Sequence, residues 1–158
     1  MKKNSEYTRG INAAYRAIAR RDCSIFEIRE LLKRKEIEEE VQEEIIEVLA
    51  RDKYLDDERF TASVIRSKKE YKRDGPLKIR QFLLQKGIKE SMIDRFMQNH
   101  FEEEEEIRIM QELLDRKRVP EKKNLLQKKQ YLYNFLMNKG FPSYKVLEAI
   151  ENHLKKNS

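Results

Sequence analysis

Residues 79–88 read "IRQFLLQKGI". Ile79, Phe82 and Leu83 share one face of a helix. Gly87 followed by Ile88 is a helix-ending pair, a residue suited to the left-handed conformation and then an apolar one that packs back on the last turn. The same ten-residue arrangement occurs twice more, as "IRELLKRKEI" (28–37) and "LYNFLMNKGF" (132–141). In all three, large apolar residues occupy the first, fourth, fifth and tenth positions: Ile28, Leu31, Leu32, Ile37; Ile79, Phe82, Leu83, Ile88; Leu132, Phe135, Leu136, Phe141. Lys35, Lys86 and Lys139 share the eighth. Nine residues beyond the tenth position come Ile46, Met97 and Ile150, which a further helix after the turn would place inward. The spacing of 51 and 53 residues between copies leaves room for about three short helices in each. It predicts an all-α array of three tandem three-helix repeats, about nine helices, divided as 1–53, 54–100 and 101–158. Glu36 stands where the other copies have glycine, so the first turn must strain or close differently.

Local signals fit this division. Ser24 and Glu27 in "SIFE" form a capping box, with Cys23 and Ile28 at staple spacing. "DGP" (74–76) breaks the chain at Gly75 and starts a helix with proline at its first position. Val119-Pro120 interrupts the third repeat, no clear stop separates "EKKNLLQKKQ" from the repeat segment after it, and a seventh or eighth helix longer than its counterparts is expected there.

Composition narrows the function. Of 158 residues, 41% are charged and 39% apolar, with four Gly and three Pro, which favours helix throughout. The single Cys23 excludes an internal disulfide, and with His100 and His153 it makes no zinc spacing. No apolar run nears 18 residues and no signal-like segment comes after "MKKNSEY", so a cytoplasmic protein without membrane contact is expected. The net charge of +6 is uneven: residues 1–55 are neutral, 56–100 carry +4 and 101–158 carry +2. No nucleophile–base pair, phosphate loop or metal cluster is evident, so no catalytic residue, metal or cofactor is expected.

"YLDDERF" (54–60) has the look of a carboxylate cluster but reads as a helix start. Asp56 is the N-cap, Leu55 and Phe60 form the staple, and Asp57 and Glu58 face the positive end of the helix dipole. The acidic run at 102–106 reads likewise as dipole charge and solubility.

"ARRDCSIFEI" (19–28), "YLDDERFTASVI" (54–65) and "GPLKIRQFLLQKGI" (75–88) resemble signatures of the RecX family of bacterial recombination regulators. Ser24, Glu27, Tyr54, Leu55, Asp56, Asp57, Phe60, Gly75 and Gly87 lie in these stretches and in the repeat, and are taken as structural. The resemblance implies an elongated, curved all-α protein of three tandem three-helix units that binds RecA and the RecA–DNA filament and limits RecA's activities; the chain is expected to be a monomer. The alternative is a sequence-independent DNA-binding protein, and weak direct DNA binding is compatible with both.

The candidate contacts are basic. Arg66, Lys68, Lys69, Lys72, Arg73, Lys78 and Arg80 fill "RSKKEYKRDGPLKIR"; on a regular helix Arg66, Lys69 and Arg73 share a face, Lys68 and Lys72 line its side, and Tyr71 adds a stacking surface. Arg116, Lys117, Arg118, Lys122 and Lys123, near Tyr131 and Tyr133, form a secondary group.

Overall fold

The computed structural model describes residues 1–157. Among these it has nine α-helices: α1 (Lys2–Arg20), α2 (Ile25–Arg34), α3 (Glu39–Arg51), α4 (Asp57–Ser67), α5 (Pro76–Gln85), α6 (Glu90–His100), α7 (Glu103–Arg116), α8 (Leu125–Lys139) and α9 (Ser143–Lys156). A π-helical stretch, Lys68–Lys72, continues α4.

The repeat register is visible in burial. Ile28, Leu32 and Ile37, then Ile79, Leu83 and Ile88, then Leu132, Leu136 and Phe141 are all buried, while the fourth-position residues Leu31, Phe82 and Phe135 are half-buried. Ile46 and Ile150 are buried as expected, and Met97 is half-buried. Each fully buried Leu or Ile contributes about 2 kcal/mol through apolar area removed from water.

The three turns close on the same two hydrogen bonds. The ninth-position N–H donates to the sixth-position carbonyl: Glu36 to Lys33, Gly87 to Leu84, Gly140 to Met137. The tenth donates to the fifth: Ile37 to Leu32, Ile88 to Leu83, Phe141 to Leu136. This pair of bonds needs a left-handed ninth residue. Gly87 (φ 76°) and Gly140 (φ 94°) supply it freely, whereas Glu36 adopts φ 57° against the steric preference of a side-chain-bearing residue. The glycine-less turn therefore strains and keeps the common closure.

Packing divides the chain into two compact units, residues 1–63 with 83–93 and residues 64–82 with 94–158, so α4, α5 and α6 each contribute to both. In the first unit α1, α2 and α3 pack on one another around Ala14, Leu32, Ile45 and Leu49. Gly10 permits this closeness, since a Cβ there would lie 2.6 Å from Ile45. In the second unit α9 packs on α7 and α8 around Met110, Leu136, Phe141 and Val146. The loop after α7 contains Val119-Pro120, and α8, at 15 residues, is longer than α2 or α5 at 10. Its start has a reciprocal cap between Asn124 and Gln127, an N-x-x-Q signal present in the sequence that marks the boundary left open there.

A joint between helix ends recurs within each unit. In the first, the Ser24 hydroxyl at the start of α2 donates to the Lys86 carbonyl at the end of α5 (2.7 Å). In the second, the Gly75 N–H at the start of α5 donates to the Lys139 carbonyl at the end of α8 (2.6 Å), and the Leu77 N–H donates to Gly140. Ser24 and Gly75 hold the same repeat position, as do Lys86 and Lys139. The glycine beside each acceptor lies against the helix start it meets: a Cβ on Gly87 would be 2.3 Å from Phe26, and one on Gly140 2.6 Å from the Lys78 nitrogen. At the first turn the corresponding Lys35 carbonyl accepts from the Arg9 guanidinium instead (3.2 Å), and Glu36 is exposed.

Candidate partner-binding surface

The acidic stretch 54–60 is built into the fold residue by residue. Asp56 accepts from the Glu58 and Arg59 N–H groups, capping α4. Asp57 accepts from the Ile25 N–H (2.9 Å) and so caps α2; burial pushes its carboxyl up despite that bond. Arg59 donates to the Lys53 and Tyr54 carbonyls at the end of α3, and Tyr54 meets Tyr15 edge to face at 5.1 Å. Leu55 and Phe60 are buried.

The Ser24–Glu27 cap is reciprocal as expected, and Glu27 does more than cap. Burial alone would raise its carboxyl. Hydrogen bonds from Arg21, the Ser24 N–H and Lys86 outweigh that and hold it at about 2. Burial raises the Cys23 thiol, leaving it a packed apolar group.

The basic stretch does not form one helical face. After Ser67 the backbone widens into the π-helical stretch, and Arg73 (φ 58°) ends it with the Asp74 N–H donating to the Lys68 carbonyl. The three-and-four spacing that would align Arg66, Lys69 and Arg73 is lost at that point. Lys69 is turned inward, 12% exposed, bonding the His100 carbonyl (2.6 Å) and Glu105 (3.0 Å) at the junction of α6 and α7. Arg73 pairs with Glu112 at 2.9 Å. Lys68 lies over the Phe82 ring at 4.0 Å. Lys78 pairs with the buried Asp74 at 3.3 Å, and Arg80 pairs with Asp94. Arg66 and Lys72 remain, exposed and without a side-chain partner among the described residues; between them Tyr71 is 82% exposed. That set, two free cations flanking an open aromatic ring, is what the central stretch leaves exposed.

The secondary group occupies the end of α7 and the loop to α8. Lys117 lies over Phe135 at 4.6 Å and near Tyr131, which Lys123 also approaches at 5.5 Å. Arg116, Arg118 and Lys122 are exposed and unpaired among the described residues. Sequence spacing placed this group near Tyr131 but missed the part of Phe135, which serves the core register and the cation at once.

The acidic run at 102–106 is more than dipole charge. Glu105 holds Lys69, and Glu106 is buried at 4% exposure and bonded to Lys145 at 2.7 Å, with its other oxygen lacking a hydrogen-bond partner. Burial disfavours the charge of Lys145, but the Glu106 bond prevails and its pKa is raised. Among the described residues no group of three His, Cys, Asp or Glu side chains could hold a metal ion, and no helix is long and apolar enough to cross a membrane.

Residues 11–49 match the family model of the first three-helix domain of RecX and residues 56–97 that of the second, together just over half of the chain. Among curated proteins it resembles the regulatory protein RecX of Bacillus cytotoxicus, at 31% identity over 82% of this chain and 47% of the relative. It also resembles that of Halalkalibacterium halodurans, at 31% over 91% and 54%. The chain thus spans about half the length of the curated relatives it matches. Among solved structures, RecX from Lactobacillus salivarius superposes with a TM-score of 0.81 over 95% of this chain and 97% of that one, at 19% identity. A second regulatory protein RecX superposes with a TM-score of 0.81 over 93% and 73%, at 28% identity. With both three-helix domains matched and the turns and caps at 24–37 and 54–88 formed by the residues that carry the signatures, the chain belongs to the RecX family of regulatory proteins.

Proposed function

We propose that this chain is a non-enzymatic regulator that binds RecA and RecA–DNA filaments in the cytoplasm and chiefly inhibits RecA ATP hydrolysis, strand exchange and coprotease activity, restraining recombination, repair and the SOS response. The observation that carries the reading is membership of the RecX family, whose curated members matched here are named regulatory proteins. The three repeats, 1–53, 54–100 and 101–158, serve as units of contact, and repetition along one chain suits a polymeric partner, because linked weak contacts sum to a strong one. Arg66, Tyr71 and Lys72 make the central contact, with Arg116, Arg118 and Lys122 in support. Lys68, Lys69, Arg73, Lys78 and Arg80 act chiefly by holding that surface in place.

Titration of the full chain against a fixed concentration of RecA filaments, with ATP hydrolysis as readout, tests this. Inhibition should grow with the molar ratio to RecA and weaken as salt rises. Hydrolysis unchanged at a stoichiometric excess would refute it. Tight, steeply salt-dependent binding to naked DNA, with no effect on RecA, would favour direct action on nucleic acid.

A further inference from the structure

The first two repeats share an ion pair between their second and sixteenth positions that the third lacks. In the first repeat these are Arg29 and Glu43, an ion pair at 3.0 Å between α2 and α3. In the second they are Arg80 and Asp94, an ion pair between α5 and α6. In the third they are Tyr133 and Leu147, and there the space between α8 and α9 is an open groove of about 640 Å³. One face of α8 (Leu126, Lys129, Gln130, Tyr133) and one face of α9 (Tyr144, Leu147, Glu148, Glu151) line it at three-and-four spacing, over a floor that includes the buried Ile150. Leu126 is 76% exposed, Tyr144 68% and Leu147 57%, a concentration of apolar surface on one helix pair that marks an interaction site rather than scattered surface residues.

The charges on the groove's walls say what fits. The α8 wall carries Lys129 and the α9 wall carries Glu148 and Glu151, and none of the three has a salt bridge among the described residues. A groove with one basic wall, one acidic wall and an apolar floor is complementary to itself. Under a two-fold axis the α8 of one copy lies against the α9 of the other, Lys129 faces the second copy's glutamates twice over, and the leucines and tyrosines interleave as in a four-helix bundle. We propose that this face pairs with a second copy of the same chain, in place of the monomer expected from the sequence, and that the loss of the Arg–acid pair in the third repeat is what opens it.

The test is the mass of the full chain in solution by sedimentation equilibrium, from about 10 to 500 µM, where mass action should reveal weak pairing. The average mass should rise from 19.2 kDa toward twice that value. Leu147→Arg, at a position 57% exposed and so tolerable to the fold, should hold the chain at the single mass with an unchanged circular dichroism spectrum. Lys129→Glu alone, and Glu148→Lys with Glu151→Lys alone, should each weaken pairing by roughly three- to tenfold. An equimolar mixture of those two variants should restore it, because each then offers the wall the other needs. A single-chain mass throughout the range would overturn the proposal. So would pairing indifferent to Leu147→Arg, or weakened variants that fail to rescue one another.

Discussion

The turn at 35–37 and those at 86–88 and 139–141 make the same two backbone hydrogen bonds, yet only the latter two have glycine at the left-handed position. The backbone angle alone does not explain this, because Glu36 adopts it. The difference lies in what each turn touches: Gly87 and Gly140 lie against the start of another helix, while beside Glu36 the position of that helix start is taken by the guanidinium of Arg9. Glycine is needed where two helix ends meet, and a side chain can be accommodated, at some backbone strain, where they do not.

The largest loss of stability is expected at Gly140. Gly140→Ala combines an unfavourable φ with a Cβ 2.6 Å from the Lys78 backbone nitrogen, and should cost about 3 kcal/mol or more in chemical denaturation. Gly87→Ala should cost somewhat less, about 2–3 kcal/mol, because its Cβ would lie 2.3 Å from the Phe26 Cβ, which no rotamer change moves, while the ring beyond it, in a side chain 41% exposed, can turn aside. Losses of no more than about 1 kcal/mol at both sites would show that φ alone sets the cost.

Ser24→Ala removes both the α2 cap and the bond to Lys86 and should cost about 1–2 kcal/mol. The same joint gives an acid response. Glu27 is held at about 2, below its ordinary 4.5, so its contribution is complete above pH 4.5 and is lost as pH falls toward 2. Wild type and Glu27→Gln should therefore differ in melting temperature at pH 6 and converge near pH 2; a constant gap would rule out the ion pairs as its source. The smallest effect is expected at the first turn: Glu36→Gly should stabilise by about 0.5 kcal/mol, relief of strain partly offset by a more flexible unfolded chain. Destabilisation there would show that Glu36 makes a favourable contribution in the native turn.

What could be read from the sequence was local. The apolar register, the Ser24, Asp56 and Pro76 helix starts and the Gly87 and Gly140 stops all depend on residues within one or two turns, where spacing fixes direction. What could not be read depends on distant backbone. Asp57 caps a helix that begins 32 residues earlier, Lys69 reaches a carboxylate 36 residues later, and Ser24 bonds a carbonyl 62 residues away. The π-helical stretch had the further effect of removing the periodicity from which the basic face was inferred, so that cations alike in sequence separate into holding and exposed groups.

That separation is the point on which the proposed contact surface stands, and filament binding by two double variants tests it. Arg66→Glu with Lys72→Glu should keep the wild-type melting temperature and lose most binding to RecA filaments at moderate salt. Lys69→Glu with Arg73→Glu places carboxylates against Glu105 and Glu112 and should lower the melting temperature first, binding falling only as the fold is lost. Wild-type filament binding by the first variant would contradict the division into exposed and holding cations.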